Sequence, residues 1–99
     1  MKVRRVDYSP EAELDFLRLY DVIADASGPD RAASYVGRVL SFCNQLELAS
    51  ERGHRRDDVR PGLRILGFER RITIAFFVES ERVVVLRLFY GGADWERVF

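Results

Sequence analysis

The sequence predicts an α+β fold in which a hairpin of two helices packs on a small antiparallel sheet, in the order β-α-α-β-β-β. The first half carries apolar residues at helical spacing between clear start and stop signals. The second half changes to short runs rich in Val, Ile, Leu and Phe. A chain of 99 residues has the size of one domain, so we expect residues 1–99 to form a single one.

The first strand and the first helix are predicted from residues 2–27. Lys2 to Tyr8 alternate and include two valines, which is typical of a short strand. Ser9 is a good N-cap and Pro10 suits the first helical position. Five apolar residues then recur at helical spacing and define a buried stripe: Ala12, Phe16, Leu19, Tyr20 and Ile23. Three acidic residues are expected on the exposed face: Glu13, Asp21 and Asp25.

A second helix, antiparallel to the first, follows the turn at residues 27–30. Gly28 can end one helix and Pro29 can open the next. We expect this helix to run to about Ser50, with Gly53 ending the helical half. Its apolar side is predicted to consist of Ala32, Tyr35, Val36, Val39, Phe42, Cys43 and Leu46.

Three strands are predicted after the helices, at Leu63–Phe68, Ile72–Val78 and Val83–Tyr90. The polar links at 69–71 and 79–82 are short enough for hairpins, so the strands should form an antiparallel meander. The last two runs are almost continuously apolar. We therefore expect central strands that the helix hairpin covers on at least one face.

Composition excludes several classes of function. Acidic and basic residues balance at sixteen each, so the chain lacks the positive excess of non-specific nucleic-acid binders, and we expect no direct sequence-specific nucleic-acid binding. No apolar run is long enough to span a membrane or to form a signal peptide. The single cysteine, Cys43, cannot form an internal disulfide and is expected in the core. These features favour a cytoplasmic protein.

The usual catalytic and metal-binding patterns are missing from the sequence. His54 is the only histidine, and we expect it to be a solvated loop residue. The glycines do not have the spacing of a nucleotide-binding loop. We therefore expect neither a metal nor a cofactor, and we assign no catalytic residue.

The stretch from Arg55 to Arg64, called the charged connection below, joins the helical half to the strands and is the most distinctive feature of the chain. Asp57 and Asp58 can accept charge-assisted hydrogen bonds from its arginines, and Pro61-Gly62 turns the chain into the first meander strand. The network either fastens the connection to the sheet or meets a partner. Further along, Arg87 lies inside an apolar strand and must face solvent or be paired.

Four pieces of the sequence, in this order, resemble the ParE branch of the RelE/ParE bacterial toxins. They are Ser9–Glu13, Tyr20–Ala24, Arg56–Arg64, and Val85–Gly91 followed by Asp94. The resemblance covers nearly the whole chain. It implies the toxin of a type II toxin-antitoxin system, which acts on DNA gyrase without catalysis and is held inactive by a small ParD-like antitoxin whose C-terminal segment wraps over it.

Two other functions remain open at this point. The related RelE branch cuts messenger RNA on the ribosome, and Arg64, Arg87 and Tyr90 could supply a minimal cationic site for that reaction. However, the tail after Tyr90 carries only one basic residue, Arg97, which disfavours phosphate binding. A binding module that pairs with an antitoxin but is not toxic is the third alternative, because Tyr90 stands where histidine is common in the family.

Candidate residues for binding the antitoxin or the target come from the charged connection, the last strand and the tail. They are Arg55, Arg56, Asp57, Asp58, Arg60, Arg64, Arg87, Tyr90, Asp94 and Trp95. Trp95 and Phe99 are expected either to pack on the sheet or to anchor a partner.

Overall fold

The computed structural model describes residues 2–92 and 94–99. Its elements are β1 (Arg5–Tyr8), α1 (Pro10–Ser27), α2 (Pro29–Asn44), a 3-10 helix (Gln45–Glu47), β2 (His54–Arg55), β3 (Arg64–Phe68), β4 (Ile72–Val78), β5 (Arg82–Tyr90) and a second 3-10 helix (Trp95–Val98). The strands form one sheet in the order β1-β5-β4-β3-β2. The predicted α+β fold, with two helices packed on a sheet, is confirmed.

Strands β3, β4 and β5 form the predicted antiparallel meander. Strand β1 lies at the edge and pairs with β5 in parallel, with Arg5 opposite Arg82 and Tyr8 opposite Val85, so the sheet is mixed. Parallel neighbours cannot be joined by a tight turn. The helix hairpin and the meander together make the connection between them.

The start of α1 follows the predicted capping pattern. The Ala12 N–H donates to Ser9 Oγ at 3.0 Å, which satisfies one of the free amides at the helix N-terminus. The Ser9 hydroxyl in turn donates to the Leu86 carbonyl at 2.7 Å. The cap therefore also fixes the helix against β5.

Two predicted boundaries were wrong because long-range hydrogen bonds decide them. Helix α2 ends at Asn44 rather than near Ser50, and one turn of 3-10 helix follows it. The Glu47 carbonyl accepts from the Arg4 N–H at 2.8 Å, which diverts the backbone from further helical bonding. At the other end, β1 begins at Arg5 rather than Lys2, because its pairing with β5 begins there.

The prediction of His54 as a loop residue was also wrong. His54 and Arg55 form β2, a two-residue edge strand antiparallel to β3. His54 is nevertheless exposed, as expected.

The main core lies between the helix hairpin and the sheet. Its largest fully buried side chain is Phe76, and Cys43 lies in the same core with no exposed surface, as predicted. Burial raises the pKa of the Cys43 thiol to about 12. Burying a side chain such as Phe76 contributes about 1.5–3 kcal/mol, so this core is the main source of stability.

A second, smaller cluster lies elsewhere on the sheet and is formed by Leu63, Ala75 and Phe89. Trp95 and Phe99 pack against it. The tail therefore packs on the sheet, which is one of the two alternatives predicted for Trp95 and Phe99. None of the helices in the described residues is long and apolar enough to cross a membrane.

Candidate functional site

The charged connection is folded by its own backbone into consecutive turns. The Arg56 carbonyl accepts from the N–H groups of Val59 at 3.0 Å and Arg60 at 3.1 Å. The Arg56 N–H donates to the carbonyl of Leu63 at 2.8 Å, and Leu63 is fully buried. These bonds give the charged side chains a fixed frame between β2 and β3.

Both aspartates of the connection are hydrogen-bonded inside it. The Asp57 carboxylate accepts from the Gly62 N–H at 2.8 Å and is paired with Arg55 at 3.2 Å. These partners, Gly62 first, hold the pKa of Asp57 below its ordinary value. Asp58 accepts two hydrogen bonds of 2.9 Å from Arg56, and this bidentate pairing lowers the pKa of Asp58.

Arg56 links the connection to the tail. Its Nη1 lies 3.3 Å from a Glu96 carboxylate oxygen, and its guanidinium lies over the Trp95 ring at 5.0 Å from the ring centre. The two carboxylates, that of Asp58 first, raise the pKa of Arg56. Asp94, in the same tail, pairs with Arg97 at 2.9 Å. The sequence-predicted residues Arg56, Asp58 and Trp95 are therefore brought together.

The other two arginines of the connection make different contacts. The Arg60 guanidinium lies 5.0 Å from the centre of the Phe77 ring. Arg64 donates to the Arg52 carbonyl at 3.3 Å. Neither hydrogen-bonds to Asp57 or Asp58, whose partners are the arginines two positions before them.

Arg87 is paired, which is one of the two outcomes predicted for an arginine in an apolar strand. Its Nε and Nη2 donate to the two carboxylate oxygens of Asp15 at 2.8 and 3.2 Å. The Leu88 N–H donates to the same carboxylate at 2.9 Å. The Asp15 side chain is only 7% exposed, so this pair fastens α1 to β5. Asp15 raises the pKa of Arg87.

Asp15 is not among the residues predicted for the site, although the sequence carries a signal for it. Asp15 stands three residues after Ala12 and four before Leu19, and therefore lies on the apolar stripe of α1. A carboxylate in a buried stripe requires a partner. The unexplained Arg87 was the obvious candidate.

Tyr90 is exposed at the end of β5, three residues after Arg87. It lines a cleft of about 630 Å³ between the α1–α2 turn and the β3–β4 turn, called the hairpin cleft below. Arg64 and Arg87 lie on β3 and β5, which flank β4, so their backbones are about 10 Å apart. Arg64 contacts the Arg52 carbonyl and Arg87 contacts Asp15, so the observed contacts do not join the three residues proposed for a minimal cationic site.

Metal-ligating side chains are scattered in the folded chain. Residues 2–92 and 94–99 contain no group of three or more His, Cys, Asp or Glu side chains that could hold a metal ion. The observed charge pairs are arginine–carboxylate pairs together with one lysine–glutamate pair, Lys2 with Glu81. Such pairs hold elements together or recognise a partner.

The chain and its fold are similar to known toxins. Residues 6–95 match the family model described as the ParE toxin of the type II toxin-antitoxin system parDE. A comparison with curated proteins found no match.

Two solved structures share the fold. The chromosomal ParDE toxin-antitoxin system from P. aeruginosa aligns with a TM-score of 0.79 and 23% identity, covering 90% of this chain and 97% of the other. The toxin-antitoxin complex RelBE2 from Mycobacterium tuberculosis aligns with a TM-score of 0.56 and 17% identity, covering 89% and 98%. Since the family model spans nearly the whole sequence, the chain belongs to the ParE toxin family of type II toxin-antitoxin systems.

Proposed function

We propose that this toxin inhibits DNA gyrase by binding it, without catalysis of its own, and that a ParD-like antitoxin neutralises it. The observation that carries the proposal is the match to the ParE family over residues 6–95. The likeness to a ParDE structure over 90% of the chain supports the ParE branch over the RelE branch, because the likeness to RelBE2 is weaker.

The positions of the cationic residues support binding over RNA cleavage. Cleavage needs a base, an acid and cations on the phosphate, and each proton-transfer group contributes roughly 10²- to 10⁴-fold. Arg87 is engaged by Asp15, and Arg64 donates to a backbone carbonyl. Tyr90 lies in the hairpin cleft, and Arg97 of the tail is paired with Asp94.

Supercoiling by purified gyrase tests the gyrase proposal. Toxin in excess is expected to reduce supercoiling and to leave cleaved DNA. Toxin already bound by its antitoxin is the matched control and should have no effect. Normal supercoiling without cleaved DNA at toxin excess would contradict the proposal.

The RelE-like activity is the second candidate, and the likeness to RelBE2 keeps it open. It predicts cuts in messenger RNA on translating ribosomes that disappear in Arg87→Ala or Tyr90→Phe. Transcripts that stay intact would exclude it. A module that binds an antitoxin but poisons nothing predicts normal growth when the toxin is expressed alone.

Within the charged connection, we propose Arg60 as the side chain that meets a partner. Arg55 and Arg56 are each paired with a carboxylate inside the connection, whereas Arg60 is exposed and has no ion-pair partner among the described residues. Arg60→Glu should weaken gyrase inhibition while the urea midpoint of unfolding stays unchanged. Undiminished inhibition by Arg60→Glu would remove Arg60 from the contact surface.

A further inference from the structure

The hairpin cleft holds cationic side chains that the fold itself does not neutralise. Two arginines line the cleft: Arg31, in the first turn of α2, and Arg71, the last residue of the turn between β3 and β4. Neither guanidinium has an ion-pair partner among the described residues. Both are exposed, so the cleft presents two free positive charges to an incoming group.

A third arginine is fixed in the wall of the cleft. Arg38 donates to both carboxylate oxygens of Glu69 at 2.6 and 2.9 Å, and its guanidinium lies 5.0 Å from the centre of the Tyr35 ring. Glu69 and Arg70 form the tip of the β3–β4 turn with φ angles of 50° and 61°. The Arg71 N–H donates to the Phe68 carbonyl at 3.1 Å across this turn, so the two positive φ angles are the ordinary geometry of a tight hairpin turn.

The Tyr35 hydroxyl is the second sign of a ligand. It is enclosed and has no hydrogen-bond partner among the described residues, although its side chain lines the cleft. Buried hydroxyls normally have a partner. Burial first, and then the nearby Glu69, raises the pKa of Tyr35, so its proton stays in place as a donor. An acceptor oxygen from a bound group would give the Tyr35 hydroxyl its missing hydrogen-bond partner.

A second, mainly apolar cavity adjoins the cleft along α1. This neighbouring cavity of about 190 Å³ shares Val22 and Tyr90 with the cleft. Its other lining residues are Leu19, Ile72, Leu88 and Phe89, together with Asp15 and Arg18. Val22 is 51% exposed in the free chain. The two adjacent cavities, together called the groove below, have a cationic part and a mainly apolar part.

These features favour a carboxylate over a phosphate. Glu69 inside the cleft would repel a phosphate dianion more strongly than a single carboxylate. The smaller cavity includes Asp15 and Arg18, whose charged groups lie 4.0 Å apart, but it is lined mainly by apolar side chains, so it fits aliphatic groups of a peptide. We propose that this groove binds a segment of a protein partner in which an acidic residue reaches Arg31, Arg71 and the Tyr35 hydroxyl while neighbouring aliphatic side chains fill the mainly apolar part.

The partner of this chemistry is the antitoxin, and that assignment rests on the proposed function. The groove itself is tested without the antitoxin, by NMR titration of isotope-labelled toxin with an acetylated peptide of alternating Glu and Leu. We expect amide shifts at residues 31, 35, 71 and 90. The matched peptide with Gln in place of Glu should bind at least about tenfold more weakly, because charge-assisted hydrogen bonds are lost.

Variants locate the site. The double variant Arg31→Glu/Arg71→Glu should abolish the shifts, whereas Arg97→Glu, the same type of substitution at one position in the exposed tail, should retain them. Tyr35→Phe should weaken the peptide severalfold without destabilising the free protein, because the hydroxyl has no partner there to lose.

Three outcomes would overturn the proposal. They are an absence of shifts at millimolar peptide, equal binding of the Gln peptide, and groove shifts with inorganic phosphate but not with the Glu peptide, which would indicate a nucleic-acid site instead. A failed gyrase assay with intact peptide binding would remove the target and leave the groove. Intact gyrase inhibition without peptide binding would remove the groove as a binding site and leave gyrase as the target.

Discussion

The charged connection and the hairpin cleft contain similar residue types but use them in opposite ways. In the connection, each aspartate is bound by an arginine two residues away, and Arg56 reaches Glu96 in the tail. In the cleft, Arg31 and Arg71 have no carboxylate partner among the described residues, and a buried tyrosine hydroxyl has no acceptor. Apart from Arg60, the network of the connection is paired without a partner, whereas we propose that the cleft is completed by a bound partner.

This difference changes how charge-rich segments are interpreted. A dense local run such as residues 55–64 can satisfy itself, because its members lie close in sequence and share one backbone frame. The cleft collects its arginines from α2 and from the β3–β4 hairpin, which are far apart in sequence. Charges that the fold brings together without neutralising them are the better candidates for binding.

The largest effect is expected where a charge is most deeply enclosed. Asp15→Ala leaves Arg87 and the Leu88 N–H without their carboxylate, and we expect a loss of about 3 kcal/mol in the free energy of unfolding. Arg18→Ala is the matched control, because Arg18 is 71% exposed and lies 4.0 Å from the same carboxylate. It should cost less than about 0.5 kcal/mol in urea unfolding. Equal costs would contradict the assignment of Arg87 as the main partner.

A pair of glycine variants tests the backbone geometry just before the charged connection and within α2. Gly53 precedes β2 with φ at 75°, and a Cβ there would lie 2.1 Å from the Ile65 carbonyl oxygen. Gly53→Ala should therefore cost about 2–3 kcal/mol. Gly37 is helical and exposed with open space around it, so Gly37→Ala should stabilise the protein by about 0.5–1 kcal/mol. Thermal unfolding shows whether each substitution lowers or raises the stability of the protein. A stabilising Gly53→Ala would contradict the geometry.

The connection should also determine part of the acid sensitivity. The pKa of Asp57 in the folded chain lies below its ordinary value of 3.8, so its ionised form stabilises the fold above that value. This contribution is lost as the pH falls through the folded pKa. Asp57→Asn keeps the acceptor for Gly62 but removes the charge, and should flatten the decline of stability between about pH 5 and pH 2.

Urea midpoints across this pH range measure the effect. Asp21→Asn, the same chemical change on the exposed face of α1, is the control. An unchanged decline in Asp57→Asn would show that Asp57 is not stabilised in its ionised form.

Local patterns in the sequence predicted most of the fold. The Ser9-Pro10 start, the apolar stripes and the three late strands depend on neighbours in sequence, and the structure contains them. The end of α2 and the strand β2 depend on bonds between distant residues, such as the Arg4 N–H with the Glu47 carbonyl. No local pattern encodes such a bond.

The same distinction applies to the candidate site: contacts between residues close in sequence could be predicted, and contacts that depend on the fold could not. The pairing inside residues 55–64 could be predicted because donors and acceptors are two residues apart. The hairpin cleft could not, because Arg31 and Arg71 are forty residues apart and meet only when the sheet packs on the hairpin. Asp15 and Arg87 were within reach of prediction, since each is a charge in an apolar pattern.

Urea unfolding with and without the Glu-Leu peptide tests the contrast between the two regions most directly. Bound ligand raises the midpoint of a protein that binds it only when folded. Arg56→Glu breaks the paired network and should lower the midpoint while the peptide still raises it. Arg71→Glu should leave the midpoint in place and abolish the increase. A peptide effect that disappears in Arg56→Glu and survives in Arg71→Glu would contradict the account.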